Sequence, residues 1–172
     1  CIQIIILQTL YSKVRIEPLS LSSVIGFNSQ NEATLSNTMQ TNSILDLIGN
    51  TPLVEARGLV KNKNVRLLFK MEGHNPGGSV KDRPAYNMIR SALERKEIDQ
   101  HTRLIEATSG NTGIALAMIA GFYKLDMELV MPENSTKERV QTMRAYGAKV
   151  TLTPAEIGIE GSRDYAEMKV AK

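Results

Sequence analysis

The stretch LIEATSGNTGIALAMIAGFY, residues 104–123, decides the fold that we expect for this chain. Residues 104–107 have the length of a short strand, and residues 113–123 are apolar enough to form a largely buried helix. The small hydroxyl, glycine and asparagine residues between them are typical of a loop. The stretch therefore predicts a strand, a loop and a helix in immediate succession.

The same alternation of elements extends on both sides of this stretch. Strands are predicted at residues 65–70, 127–131 and 150–153, and helices at 84–96, about 136–146, and 161–171. Pro84 suits a first helical turn, and Pro132 is expected to end the strand before it. Ser135 or Thr136 is a candidate helix cap, and Gly147 a helix end. Repeated strand–helix–strand units with short connections predict an α/β fold with helices flanking a parallel sheet. The buried side of the helix at 84–96 is predicted from helical spacing to contain Ala85, Met88, Ile89, Ala92 and Leu93.

Composition divides the chain into three parts. Residues 20–38 are dominated by Ser, Asn, Gln and Thr, which predicts loop or disorder. We expect residues 1–38 to be a disordered or non-native leader with Met39 as the functional start, although a genuine flexible extension explains the same pattern. Residues 39–80 are predicted to be an N-terminal segment that contributes strands to a larger domain. Residues 81–172 are predicted to form a smaller α/β domain that is truncated, because its last helix lacks a closing strand.

Charge and cysteine content exclude several classes of function. The net charge is +3, the basic residues are scattered, and aromatic residues make up 5%. Nucleic-acid binding requires a clustered basic face, so we expect no nucleic-acid partner. Cys1 is the single cysteine, so no intrachain disulfide or cysteine metal site is expected, and no metal is predicted. No apolar run approaches the ~20 residues that span a bilayer, so we expect no membrane segment and a cytoplasmic location.

The segment NPGGSVKDR, residues 75–83, presents Lys81 after a glycine-rich turn and just before a helix. Such a turn can project a side chain into the crevice at the strand ends of an α/β sheet. A neutral lysine forms imines with carbonyl compounds, which makes Lys81 a candidate for covalent catalysis. A solvated surface lysine fits the same pattern when the motif is considered alone.

The segment EATSGNTG, residues 106–113, places hydroxyl groups and glycines at a predicted helix N-terminus. Unpaired N–H groups and the helix dipole favour a bound anion there. An N-cap with nothing bound explains the same residues. Taken together, an imine-forming lysine and a carboxylate site at one edge of an α/β unit meet two requirements of pyridoxal phosphate (PLP) chemistry on an amino acid.

Both motifs resemble those of fold-type II PLP enzymes, specifically the cysteine synthases, or O-acetylserine sulfhydrylases. The resemblance covers about residues 43–170, and Ala107 with the segment ALAMIA at 115–120 is closest to the B type. It implies the three-layer parallel-sheet architecture of the tryptophan synthase β-like fold, incomplete at the C-terminus. Further matching segments are IGNTPL at 48–53, KME at 70–72 and MRAYGA at 143–148.

The resemblance also implies a role for each motif residue. Lys81 would be the Schiff-base lysine and would move the Cα proton of the substrate. Asn111 would bind the ring hydroxyl of the cofactor. The substrate carboxylate would be bound by the loop that contains Thr108, Ser109, Gly110, Asn111 and Thr112. The implied reaction is β-replacement on O-acetylserine with sulfide or thiosulfate, in a homodimer.

Some family features have no counterpart before Lys172, namely the glycine-rich phosphate-binding loop and the serine that contacts the ring nitrogen. One alternative is therefore a truncated, non-catalytic fragment of such an enzyme. Another is a different fold-type II enzyme, such as a cystathionine β-synthase or a threonine dehydratase. His74 is expected to be a loop residue, and Asp82 and Arg83 a local structural pair.

Overall fold

The computed structural model describes residues 4–6 and 41–171. Six strands are present in this part of the chain: β1 (Ile4–Ile6), β2 (Leu53–Glu55), β3 (Leu68–Lys70), β4 (Arg103–Ala107), β5 (Asp126–Pro132) and β6 (Lys149–Thr153). Four of them form a parallel sheet in the order β1–β4–β5–β6. In its centre, Arg103 to Ala107 pair with Asp126 to Val130, and Glu128 to Pro132 pair with Lys149 to Thr153. The predicted parallel sheet is therefore confirmed.

Four α-helices accompany the strands: α1 (Asp82–Glu94), α2 (Asn111–Tyr123), α3 (Lys137–Ala145) and α4 (Gly158–Val170). Short 3-10 helices cover Ile44–Leu47, Glu72–His74 and Ala155–Ile157. Helix α2 packs against α1, α3 and β5, whereas α4 packs against β4 and β5 from the other face of the sheet. The three layers are thus helices, a parallel sheet and a further helix. No helix within residues 41–171 has both the length and the apolar content to cross a membrane.

The two faces of the sheet are separated by strand alternation, since successive side chains point to opposite sides. Leu104 packs into the larger apolar cluster with α1 and α2, while its neighbour Ile105 packs with α4. Strand β5 alternates in the same way, with Leu129 on the α2 side and Val130 on the α4 side. All four side chains are fully buried. A strand covered on both faces explains the continuous apolar runs in the sequence.

The predicted helices are confirmed, with small differences at their ends. Helix α1 begins at Asp82, which places Pro84 in its first turn, and it ends at Glu94 because Lys96 adopts the left-handed conformation (φ 57°). The predicted stripe is correct, since Ala85, Met88, Ile89 and Ala92 are buried and Leu93 packs beside them. Helix α2 begins two residues before the predicted start. Pro132 is the last residue of β5 rather than the residue after it. Thr136 is the N-cap of α3, but its side chain makes no capping hydrogen bond.

Strands β2 and β3 form a separate antiparallel pair, in which Leu53 pairs with Lys70 and Glu55 with Leu68. This antiparallel pair lies outside the predicted parallel sheet. Strand β3 is shorter than the predicted 65–70, and the side chains of Leu53, Leu68 and Phe69 are exposed. Two strands joined by a direct loop return antiparallel, whereas parallel pairing needs a crossover.

The predicted leader, residues 1–38, contributes β1, which pairs in parallel with Arg103 to Ile105 of β4. The segment at 20–38, where loop or disorder is predicted, lies outside the described residues. The division at residues 38 and 80 stays a prediction.

A buried carboxylate lies on the α4 side of the sheet. Glu128 on β5 is fully buried and accepts hydrogen bonds from Nζ of Lys169 at 2.6 and 2.8 Å and from Oγ1 of Thr151 at 2.7 Å. Burial alone would raise the pKa of Glu128, but the bonds from Lys169 and Thr151 outweigh it and hold the pKa below the ordinary value. Helix α4 is therefore attached to the sheet by a charge pair as well as by apolar contacts.

Replacing Lys169 with Met should destabilise the fold by about 2 kcal/mol, because it leaves the Glu128 carboxylate buried without its cation. The carboxylate of the unmodified chain stabilises the fold above its unfolded pKa of 4.5, and this contribution is lost as the pH falls through the lower folded pKa. Urea unfolding at several pH values measures both effects. Lys149→Met is the matched control, since Lys149 is largely exposed and lies 3.8 Å from Glu128. Equal unfolding free energies for the two variants would contradict this account.

Candidate functional site

A cavity of about 190 Å³ lies where α1 and α2 begin, at the carboxyl end of β4. Helix α1 contributes one wall and α2 the other, because the two helices pack side by side on the sheet. Parallel α/β sheets place ligands at this edge. The cavity is lined by Lys81, Pro84, Ala85, Met88, Glu106, Thr112 and Leu116.

Lys81 is exposed and is the N-cap residue of α1. Its backbone N–H donates to Oγ of Ser79 at 3.1 Å, and Ser79 itself is buried. The preceding turn is closed by a bond from the N–H of Gly78 to the carbonyl of Asn75 at 2.8 Å. Gly78 has a φ of 83°, a conformation that glycine adopts without strain. The backbone of Lys81 is thus fixed, while its side chain reaches the cavity.

Asp82 follows Lys81 and is completely buried beneath the turn. Its Oδ2 accepts the N–H of Gly77 at 2.5 Å, while its Oδ1 has no hydrogen-bond partner among the described residues. A Cβ on Gly77 would collide with this carboxyl group, so the turn requires glycine there. Burial raises the pKa of Asp82, despite the opposing bond from Gly77. Asp82 therefore contacts the lysine turn from below and does not face the cavity.

Arg83 does not pair with Asp82, which corrects the expected local pair. Its Nε and Nη2 donate to the two carboxylate oxygens of Glu72 at 2.8 and 2.9 Å. Glu72 also accepts from Oγ1 of Thr51 at 2.7 Å and from Nδ2 of Asn75 at 2.9 Å. The bond to Arg83 is the main reason why the pKa of Glu72 falls to about 2. This network links the segment before Glu72 to the lysine turn.

The loop between β4 and α2 continues from the sheet, since the N–H of Thr108 donates to the carbonyl of Val130 at 3.0 Å. The next four N–H groups, of residues 109–112, have no acceptor within the described part of the chain. Gly110 is the N-cap of α2, and no side chain caps this helix end. Four consecutive unpaired N–H groups at a helix N-terminus favour a bound carboxylate or other anion.

Gly113 allows the loop, α2 and α3 to approach closely. A Cβ at this position would lie 2.7 Å from Cε of Met143 on α3 and 2.8 Å from Cγ2 of Thr108. Both distances are shorter than a normal van der Waals contact. Glycine is therefore required at position 113 by close packing and not by an unusual backbone conformation.

The structure brings Lys81 and Thr112 together as lining residues of one cavity. Thr108, Ser109 and Gly110 lie on the adjoining loop, and Asn111 is the first residue of α2 with an exposed side chain. Their individual roles stay predictions. Sequence reasoning missed the apolar wall made by Pro84, Met88 and Leu116, although the helical spacing of Met88 with Lys81 could have indicated a shared face.

The residues present fit a cofactor of the PLP type. A lysine amine and apolar side chains lie on the same cavity, which suits an aromatic aldehyde bound covalently. The unpaired N–H groups of residues 109–112 add a carboxylate site next to it. Among residues 41–171, no cluster of three or more His, Cys, Asp or Glu side chains could hold a metal ion.

Comparison with known families agrees with this geometry. Residues 44–172 match the family of pyridoxal-phosphate-dependent enzymes. The chain therefore belongs to this family, and the fold-type II architecture predicted from its sequence is confirmed. Among its relatives, the cysteine synthase B of Pseudomonas syringae pv. syringae is 50% identical over 135 residues, which are 78% of this chain and 80% of that protein. The predicted resemblance to cysteine synthases of the B type is thus confirmed.

Solved structures with the same fold include a cysteine synthase from Entamoeba histolytica, with a TM-score of 0.76 and 33% identity over 83% of this chain and 43% of that one. An O-acetylserine-dependent cystathionine β-synthase from Helicobacter pylori has a TM-score of 0.68 and 37% identity over 76% of this chain and 44% of that one. The chain spans about two fifths of the length of several other curated relatives, at 44%, 41% and 39%.

Replacing Glu72 with Gln should lower the unfolding free energy by about 1–2 kcal/mol, because Arg83 loses its carboxylate partner. The stabilisation from Glu72 is complete above pH 4.5 and is lost as the pH falls from 4.5 toward 2. Chemical unfolding across this range measures the effect. Glu94→Gln removes a carboxylate that is 64% exposed and paired with Arg90, so it should change stability much less. Indistinguishable variants would mean that the Glu72 network contributes nothing.

Proposed function

We propose that this chain carries the lysine half of a PLP-dependent β-replacement site that acts on O-acetylserine in cysteine biosynthesis. The observation that supports this most strongly is the shared cavity of Lys81 and Thr112, beside four unpaired N–H groups. The cysteine synthases among the relatives give the reaction class. The sulfur donor is sulfide or thiosulfate, which form cysteine or S-sulfocysteine.

Each residue has one task in this proposal. Nζ of Lys81 holds the cofactor covalently and then moves the proton at Cα of the substrate. Asn111 donates to the ring hydroxyl of the cofactor. The unpaired N–H groups of residues 109–112 and the hydroxyls of Thr108, Ser109 and Thr112 bind the substrate carboxylate. Pyridoxal phosphate, when bound, supplies the electron sink for the negative charge that develops at Cα.

The walls of the cavity support this division of tasks. Pro84, Met88 and Leu116 present apolar surface beside Lys81, and such a surface excludes water from a flat aromatic ring. Helix α2 directs the positive end of its dipole to the carboxylate site. Small-molecule substrates fit an opening of this size. A homodimer and a cytoplasmic location complete the proposal, by analogy with the family.

Two alternatives are compatible with the same lysine and loop. The first is a non-catalytic fragment, which applies if residues 41–171 do not bind the cofactor by themselves, since a dianionic phosphate needs a cradle of N–H groups. Cystathionine β-synthesis is the second alternative, because a solved structure with that name has a similar fold. Both alternatives keep the same lysine and the same carboxylate loop.

Lys81→Ala should abolish the visible absorbance that the chain gains on mixing with PLP, because no other amine lines the cavity among the described residues. Borohydride reduction followed by peptide mapping should place the label on Lys81 in the unmodified chain. Lys137→Ala, an exposed lysine at the start of α3, is the control and should keep the absorbance. Retention of the absorbance by Lys81→Ala would remove the lysine from the site, and its absence in the unmodified chain would favour the fragment alternative.

Ser109→Ala and Thr112→Ala should each weaken the spectral change caused by O-acetylserine about three- to tenfold in apparent affinity, the effect of one lost hydrogen bond. PLP absorbance itself should stay unchanged. Thr142→Ala on α3 is the control, since its hydroxyl bonds to Glu138 within its own helix. Titrations of both loop variants that match the control would disprove the carboxylate role of these hydroxyls.

A further inference from the structure

Helix α3 makes a polar contact with the carboxylate loop that the proposed chemistry does not use. Nη1 of Arg139 donates to the backbone carbonyl of Ser109 at 3.3 Å, across 30 residues of sequence. Arg139 lies in the first turn of α3 and is otherwise exposed. No other side chain among the described residues bonds to a backbone group of residues 109–112.

A second residue of the same helix face reaches the same region. Met143 is four residues after Arg139, so the two side chains lie on one face of α3. Met143 is fully buried, and its Cε closely approaches Gly113. The apolar contact fixes how α3 lies against the start of α2. The backbone of Arg139 is consequently held beside the loop, within reach of the Ser109 carbonyl.

The bond from Arg139 to the carbonyl of Ser109 affects the direction in which a loop N–H group points. The carbonyl of Ser109 and the N–H of Gly110 belong to one planar trans peptide, so they point in opposite directions. Helix α2 packs against α1 and also against α3, and the cavity lies between α2 and α1. A carbonyl turned toward α3 therefore directs the N–H of Gly110 away from α3 and toward the lysine side.

We propose that Arg139 is a positioning residue, which orients the Ser109–Gly110 peptide so that its N–H faces the substrate carboxylate. This inference rests on the proposed function, since it assigns the loop a carboxylate ligand. Arg139 acts through the loop backbone and does not itself bind the substrate. A planar guanidinium suits this task better than an ammonium, because its donors have a fixed direction.

The test uses amide NMR of the 172-residue chain without PLP, with acetate and O-acetylserine as probes. Arg139→Met should weaken carboxylate binding about three- to tenfold, measured from the shifts of the amides at 109–112. Arg139→Lys should recover only part of the affinity. Arg144→Met is the matched control, because Arg144 is an exposed arginine on the same helix whose side chain makes no bond to the loop.

A second comparison separates positioning from simple attraction between charges. Raising the ionic strength from about 0.05 to about 1 M shortens the screening length to ~3 Å and removes attraction by an exposed charge. Positioning predicts that the difference between Arg139→Met and Arg144→Met persists at high salt. Its disappearance, or equal affinities at low salt, would overturn the proposal.

A separate measurement on the loop itself tests Arg139 if the unmodified chain binds no carboxylate. That result would count against the proposed carboxylate site. The positioning role of Arg139 would then be tested by the NMR signals of the loop. The carbonyl shift of Ser109 and the hydrogen exchange of the Gly110 amide should then differ between Arg139→Met and Arg144→Met. Identical values in both variants would refute the positioning role independently of the proposed function.

Discussion

The burial of α2 is the constraint on which the rest of this structure depends. Residues 115–120 of this helix are buried without interruption, so it has no polar side that could face water along its middle. Such a helix must be covered on every side. Strand β5 covers it from below, α1 on one flank and α3 on the other. Because both flanks are occupied, Lys81 before α1 and Arg139 on α3 are brought to the N-terminus of α2 from opposite sides.

The same burial leaves the end of α2 chemically unsatisfied. The body of the helix satisfies its own backbone groups, but the first N–H groups of any helix lack partners. Side chains usually cap them, yet here Gly110 occupies the cap position and contributes no side chain. Within the described part of the chain, the hydroxyls of Ser109 and Thr112 accept no hydrogen bond from these N–H groups either. A helix end that is left open beside a lysine is better suited to binding an anion than to stabilising the fold.

Much of this arrangement could be predicted from the sequence, because its signals are local. The apolar run after residue 113 and the proline at 84 place two helices correctly, and both chemical motifs lie beside them. The antiparallel pairing of β2 and β3 could not be predicted in this way, since Leu68 and Phe69 are exposed and their run looks like that of a buried strand. Nor could the partner of Arg83 be predicted, because Glu72 is brought to it by a turn rather than by helical spacing.

The site residues that could not be predicted from the sequence were missed for a common physical reason. Arg139 contacts the backbone carbonyl of Ser109. Every residue has such a carbonyl, so the residue type at position 109 does not reveal the contact. Met88 and Leu116 have the pattern of core residues, and periodicity cannot separate a buried wall from the wall of an open cavity. Sequence motifs therefore locate reactive groups, whereas the groups that orient them depend on how the helices pack.

The two halves of the site differ in what holds them. The loop at 108–112 continues directly from β4 into α2, so the apolar core fixes it on both ends. The segment before Lys81 is attached mainly by Leu45 in the core and by polar bonds. Examples are the bond from Arg83 to Glu72 and the bond that the N–H of Gly49 donates to Oδ1 of Asn75 at 2.8 Å. Core burial resists acid, but the Glu72 bonds need an ionised carboxylate. The lysine side of the site should therefore loosen before the carboxylate side as the pH falls, because a titratable carboxylate, that of Glu72, bonds directly to Asn75 and Arg83 beside the lysine turn.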